Sequence, residues 1–203
     1  MHRDPSTFQD LKNFKLPPNF RGRSALRVQL WWLVQATLFR LSPQIFYAFR
    51  RWLLIRFGAQ VGTGAIIRAS AVFTYPWKIK IGDYSWIGDD AVLYSFAPIT
   101  IGDNVVVSQK SYLCAGSHDY RSKAFDIRSA PIVIHDNAWL AADVFVAPGV
   151  TIGMGAVVGS RSSVFNDLPA MMICVGSPAR PVRPRFEEQT QDSRAASIED
   201  LAD

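Results

Sequence analysis

Cysteine, histidine and charge are scarce in this chain of 203 residues, which has two cysteines, three histidines and 19% charged side chains. Cys114 and Cys174 stand far apart and carry no metal-ligand spacing. That excludes a zinc ribbon and leaves a reducing cytosol as the simplest setting. A long apolar run is missing too. The best candidate, Val28 to Phe39, is closed by Arg27 and Arg40 and falls short of the roughly 20 apolar residues that one membrane span requires. No secretory leader is expected, because the first apolar run comes late and no cleavage-like site follows it. No nucleic-acid motif accompanies the basic residues, which sit among bulky apolar ones, so nucleic acid is not an expected partner. With 49% apolar residues the chain can bury a sizeable core, and the expectation is one domain with attachments, cytoplasmic or peripheral at the inner membrane face.

The charge that is present lies unevenly. Residues 1–60 hold ten Lys and Arg against two acids, an excess of +8, and residues 184–203 hold two Arg against six acids, or −4. A basic end points to an anionic partner, either a membrane surface or a nucleotide-bearing substrate. The acidic tail reads as disordered.

Residues 1–24 are polar, contain Pro5, Pro17 and Pro18, and read as an irregular arm. Two short helices follow. The first runs from Leu26 to Arg40 with Ser24 as its cap; the second starts at Pro43 and stops at Gly58, the usual punctuation of helix ends. Both are rich in Trp and Phe. They are either a cap over the end of the main domain or an amphipathic hairpin on an anionic membrane. The cap is preferred, because the exposed end of a solenoid needs covering.

From Val61 the period becomes six. Apolar residues recur at Val61, Ile67 and Phe73; at Ile81, Ile87 and Leu93; at Ile101, Val107 and Leu113; at Ile134, Leu140 and Val146; and at Ile152, Val158 and Val164. Four residues after each stands a second position, thirteen of the fifteen being Ala, Ser or Val, with Trp77 and Leu168 the exceptions. One large and one small inward residue per six describes a chain that turns a corner after each short strand. Three strands close a triangular coil, and five coils stack into a parallel β-solenoid prism roughly 24 Å tall. Two-residue slips at Ile79-Lys80 and Ile99-Thr100 widen one corner, and the long break at 119–133 begins just after His118. The expected organisation is a 1–60 arm and cap, a 61–183 solenoid with insertion 119–133, and a 184–203 tail.

These repeats resemble the hexapeptide-repeat acyltransferases, and FGAQVG, YPWKIKIGDYSWIG, SQKSYLCAGSHDY and VGSPARPVRPR resemble in particular the colanic acid biosynthesis acetyltransferases. The resemblance implies a left-handed β-helix, a homotrimer with sites between subunits, acetyl-CoA as co-substrate and no metal. The acceptor it implies is a small-molecule or lipid-linked sugar of exopolysaccharide synthesis. It makes His118 the general base that takes a proton from the acceptor hydroxyl, a weak nucleophile needing such help. Asp119 then orients that imidazole, holds the acceptor or faces water. Trp139, Ala142, Ser160, Phe165, Asn166, Arg180 and Arg183 fall where the family meets coenzyme A, although Phe165 and Asn166 depart from its usual residues there. Two guanidinium forks suit the coenzyme phosphates. Trp77, Tyr94, Phe96 and Tyr120 either stack on the sugar or pack against neighbours. His2, in the arm, and His135, at a corner, are not candidates.

Three other readings remain open. A zinc carbonic anhydrase on this fold needs several histidines, and only His118 and His135 lie in the repeats. A non-catalytic trimeric scaffold would lack the loop histidine and the C-terminal signature. An acetyltransferase for an amino sugar, an amino acid or a drug differs only in the variable loop and corners.

Overall fold

A two-residue strand cannot satisfy its own backbone, so each coil must bond to the one stacked on it. The computed structural model, which describes residues 8–186, shows the repeats wound into a solenoid with three parallel walls. Wall A holds Gln60–Val61, Ile79–Ile81, Ile99–Ile101, Ile132–Ile134 and Thr151–Ile152. Wall B holds Ile66–Ile67, Trp86–Ile87, Val106–Val107, Trp139–Leu140, Val157–Val158 and Met172–Gly176. Wall C holds Val72–Phe73, Val92–Tyr94, Tyr112–Cys114, Phe145–Val146 and Ser163–Val164. Five coils are complete, and a sixth is begun by Leu168, bridged to Ile152, and by the last strand of wall B.

All fifteen period-marking residues point inward, none more than 7% exposed. The second inward position departs from expectation in two coils. Trp77 and Ser117 are not the inward small residues; Tyr75 and Ala115, two places earlier, are buried instead. The slips also do more than widen a corner. Ile79, Ile99 and Ile132 are buried and paired in register, so the middle three strands of wall A have three residues where its first and last have two.

At the corner between walls A and B, aspartates run up the prism. Asp83 accepts from the Thr63 N–H at 2.6 Å, Asp103 from that of Asp83 at 2.7 Å, and Asp136 from that of Asp103 at 2.9 Å. Each carboxylate reaches across the glycine of the coil beside it. A Cβ on Gly82 would sit 2.2 Å from the Asp103 carboxylate and 2.4 Å from the Gly102 backbone, so only hydrogen fits there.

The N-terminal helices close the open end of the prism. Helix α1 (Ala25–Val34) is capped by Ser24, which accepts from the Arg27 N–H, and continues into a π-turn, Gln35–Phe39. Helix α2 is Tyr47–Arg56 and starts four residues after Pro43, which instead opens a turn. The first coil has no coil beneath it, and its carbonyls would be orphans. The cap supplies donors to all three walls. Arg51 reaches Gly62 O at 2.6 Å and Arg50 reaches Ile67 O at 2.7 Å. Trp31 reaches Phe73 O at 2.7 Å, while Gln35 accepts from the Phe73 N–H. Trp31, Phe39, Leu53 and Leu54 meanwhile join the solenoid core.

The arm is less free than its composition suggests. Trp77 and Lys78 donate to Arg21 O and Phe20 O, pinning it along the prism, and Asp10 N bonds to Lys123 O at 2.7 Å in the insertion. At the other end, Ala179–Pro184 folds back antiparallel on Met172–Gly176, so the ordered chain runs past Pro184. The acidic residues from 187 onward, expected to be disordered, and His2 lie outside the described residues.

Candidate active site

Wall C ends its third coil at Tyr112–Cys114, Ala115 turns inward, and the chain leaves the prism at Gly116. The departure is thus earlier than the expected residue 119. Gly116 is required at this exit because a Cβ would lie 2.7 Å from the Phe96 ring. Strand Gly116–His118 then pairs antiparallel with Ile127–Ser129, and the chain rejoins wall A at Ile132. What reads as an extended loop is a hairpin, and His118 stands inside it, opposite Ile127, at the corner between walls C and A.

The imidazole is fixed on three sides. Its Nδ1 lies 2.7 Å from the carbonyl oxygen of Phe125, and its ring stacks on the Phe125 ring at 4.2 Å and 11°. Phe14 of the arm packs at 6.1 Å. A carbonyl only accepts, so Nδ1 carries the proton, and in the neutral imidazole Nε2 presents a lone pair. Phe125 makes this contact from the left-handed region, with φ +55, held by its N–H to Ser122 O at 3.0 Å.

Asp119 does not orient the imidazole; the Phe125 carbonyl occupies that place. Its carboxylate accepts from the Arg121 N–H at 3.1 Å and from the Arg128 guanidinium across the hairpin. The Arg121 N–H, with the charges of Arg128 and Arg121, holds its pKa below the usual carboxylate value. The Asp119 N–H also bonds to Asp126 O at 2.7 Å. Asp119 therefore braces the hairpin.

Beside the hairpin, Cys114 donates to Gly116 O at 3.0 Å, and burial pushes its thiol pKa up. A neutral, hydrogen-bonded thiol is a poor nucleophile. Tyr94 stacks on Phe96 at 4.1 Å and leads an aromatic file up wall C through Tyr112, Phe145 and Phe165. Burial raises the Tyr94 pKa to about 12, so it stays a neutral phenol. Trp77 is committed elsewhere. It gives its indole N–H to Arg21 O at 2.7 Å and stacks on Tyr75, which makes it an anchor of the arm and not an acceptor platform. Tyr120, 72% exposed near the hairpin tip, is available to a ligand.

A groove of about 740 Å³ runs along the outer face of wall B. Trp139 lines it, 45% exposed, with its indole N–H on Ser108 Oγ at 3.0 Å. Trp86, 52% exposed, lines it too, and the register Trp86–Val106–Trp139 sets the indoles two strands apart, about 9.6 Å. Asn104, Gln109 and Asn137 add polar groups between them. Trp86 is absent from the sequence-derived candidates. The signal was present, since Trp86 precedes Ile87 as Trp139 precedes Leu140.

The remaining coenzyme candidates divide. Ala142 and Ser160 follow one another at the corner between walls B and C, where Ala142 O accepts from Arg161 N. Arg180 and Arg183 lie on the outermost strand of wall B, opposite Val175 and Ile173, and Arg185 reaches Asn137 O at 2.7 Å. Phe165 and Asn166 instead follow wall C, on the side from which the His118 hairpin emerges. In a triangular prism the corner between C and A faces away from wall B. A single chain therefore does not bring His118 and Trp139 into one groove. Among the described residues no three His, Cys, Asp or Glu side chains gather as a metal set.

Comparison with known proteins gives a consistent picture. The family model described as bacterial transferase hexapeptide (six repeats) matches residues 131–166. The Escherichia coli K12 protein named "Putative colanic acid biosynthesis acetyltransferase WcaF" is 57% identical over 181 residues, 89% of this chain and 100% of its own length. Among solved structures, the hexapeptide-repeat acetyltransferase VCA0836 of Vibrio cholerae complexed with acetyl coenzyme A superposes with a TM-score of 0.73 at 28% identity, covering 82% of this chain and 92% of that one. Galactoside acetyltransferase in complex with coenzyme A gives a TM-score of 0.75 at 26% identity and 85% of each chain.

Proposed function

The chain belongs to the hexapeptide-repeat transferases, and from that premise we propose that it moves an acetyl group from acetyl-CoA to a sugar hydroxyl in exopolysaccharide synthesis of the colanic acid type. The observation that carries this reading is the 2.7 Å contact between His118 Nδ1 and the Phe125 carbonyl oxygen. With its proton held on Nδ1 by Phe125 O, Nε2 takes the proton of the acceptor hydroxyl as the oxygen attacks the thioester carbonyl. The tetrahedral adduct then collapses, the carbon–sulfur bond breaks, and the imidazolium returns the proton to the departing thiolate. Transfer is direct in this reading: the Cys114 thiol is tied to Gly116 O at 3.0 Å, and burial disfavours the thiolate that an acyl intermediate would need.

The chain's own residues suit the two substrates. Wall B offers a groove for a pantetheine arm, lined by Trp86, Trp139 and Arg185, with the small Ala142 and Ser160 at the corner beside that wall, and Arg180 and Arg183 of Ala179–Pro184 suit the coenzyme phosphates. Trp86 and Tyr120 present exposed aromatic faces suited to a sugar ring.

Purified protein with acetyl-CoA is expected to release thiol only when a hydroxylated oligosaccharide is added, and to leave on it an acetyl ester that mild alkali removes. An alkali-stable amide on an amino sugar would replace the hydroxyl acceptor by an amine. No release with any acceptor, together with no binding of coenzyme A by calorimetry, would favour a scaffold.

Because His118 and Trp139 lie on opposite sides of one prism, the reading places the site between two chains of a homotrimer. Mixing His118→Ala and Trp139→Ala chains through unfolding and reassembly is expected to restore activity absent from either alone. Failure of every mixture to exceed the sum of its parts would put the whole site in one chain.

A further inference from the structure

The inner face of the cap is consumed by the solenoid, but its outer face is apolar and bare. On α1, the π-turn and the turn that follows, Leu26, Leu30, Leu33, Leu38 and Leu41 are exposed by 79%, 49%, 61%, 57% and 79%. Their spacing is deliberate. Leu26, Leu30 and Leu33 share one helical face, and the π-turn Gln35–Phe39 inserts a residue so that Leu38, and not Thr37, takes the next place on it. Ile45, Phe46 and Trp52 extend the patch. Leu38, Leu41, Pro43, Phe46 and Phe49 frame an apolar groove of about 280 Å³ within it. Monomeric soluble proteins rarely leave so continuous a face in water without a use for it.

Charge selects the occupant. Residues 24–58 contain Arg27, Arg40, Arg50, Arg51 and Arg56 and no Asp or Glu. Arg40 and Arg56 are exposed, as is Arg23 just before α1. A second copy seated on this face would oppose arginine with arginine and supply no carboxylate to answer it. An anionic lipid surface answers both features, with acyl chains for the leucines and headgroups for the guanidiniums. Among the described residues no helix is long and apolar enough to cross a membrane, so the helix lies along the boundary and does not span it.

We propose that the outer face of the cap docks this protein on an anionic phospholipid bilayer, α1 lying in the plane of the interface with the solenoid standing away from it. The proposal is independent of the acetyl-transfer reading. Its test is flotation of the full chain with vesicles of phosphatidylcholine containing phosphatidylglycerol, against vesicles of phosphatidylcholine alone. The expected result is flotation that depends on the anionic lipid and weakens as salt rises, in keeping with a Debye length of about 8 Å at physiological ionic strength. The triple substitution Leu33→Ser, Leu38→Ser, Leu41→Ser is expected to lower the floated fraction about tenfold, and Arg40→Gln with Arg56→Gln to lower it several-fold. Melting temperature and gel-filtration volume should stay unchanged in both. A native chain that stays at the bottom of the gradient overturns the proposal, as does a triple variant that floats like the native chain. Equal flotation on neutral vesicles removes the anionic requirement. A triple variant that dissociates, with no vesicle binding by the native chain, assigns the face to a second copy.

Discussion

Replacing His118 with alanine is expected to lower kcat for acetyl transfer about 10²- to 10⁴-fold, the range that a positioned general base contributes. KM for acetyl-CoA should change little, since the imidazole meets the acceptor proton and not the coenzyme body. The hairpin should survive the change. Its backbone pairing, Gly116 with Ser129 through His118 with Ile127, does not use the side chain, and the Asp119–Arg128 brace remains. Steady-state kinetics with the acceptor saturating would separate the two constants. A variant that kept near-native kcat would place the base elsewhere and remove the tautomer as the basis of the mechanism.

The second large effect lies at the other end of the molecule. Arg50 is completely buried, yet among the described residues no carboxylate bonds to it. Its guanidinium donates to Ile67 O at 2.7 Å, Pro43 O and Ser42 Oγ at 2.8 Å, and Gln44 O at 2.6 Å, with the Tyr47 ring 5.0 Å away. Burial lowers its basicity, but an arginine stays charged in a protein. Arg50→Met keeps most of the stem's bulk and removes every donor, leaving buried carbonyls unpaired. A loss of about 3 kcal/mol is expected. That corresponds to a melting temperature lower by roughly 6–12 °C for a chain of this size. Thermal denaturation followed by circular dichroism would check it. A shift of a degree or less would mean that water reaches these carbonyls once the guanidinium is gone.

The solenoid was legible in the sequence because its physics is local and repeated. A residue that must fill a coil interior recurs every six places, and Ile87, Val107 and Leu140 could be placed in one column without coordinates. The misplacements occur where the repeat is interrupted. Trp77 and Ser117 follow the sixfold count, but the corner between walls C and A carries extra chain. There the inward place falls to Tyr75 and Ala115. The partner of His118 was hidden for a different reason. It is a backbone carbonyl, which every residue owns, and no side-chain pattern marks it. A carboxylate such as that of Asp119 is visible in a sequence, and a carbonyl is not. Trp86 was legible and overlooked. The arm's reach to the hairpin, through Asp10 and Phe14, depends on tertiary packing that composition does not encode.

The donors that the cap offers to the first coil also bear on how the molecule is put together. Gln60 pairs with Lys80, Ile79 with Ile99, and Ile66 with Trp86, so each new coil needs only the one made about twenty residues before it. The cap precedes them all in the chain. During synthesis it emerges first and presents Arg50, Arg51 and Trp31 as a template on which the first coil can settle. Later coils then add in the order in which they leave the ribosome, like courses of brick on a finished footing. Only the His118 hairpin interrupts that rhythm. Ile132 must find Ile99 across thirty-three residues, the longest separation between neighbouring strands of wall A and so the costliest loop to close.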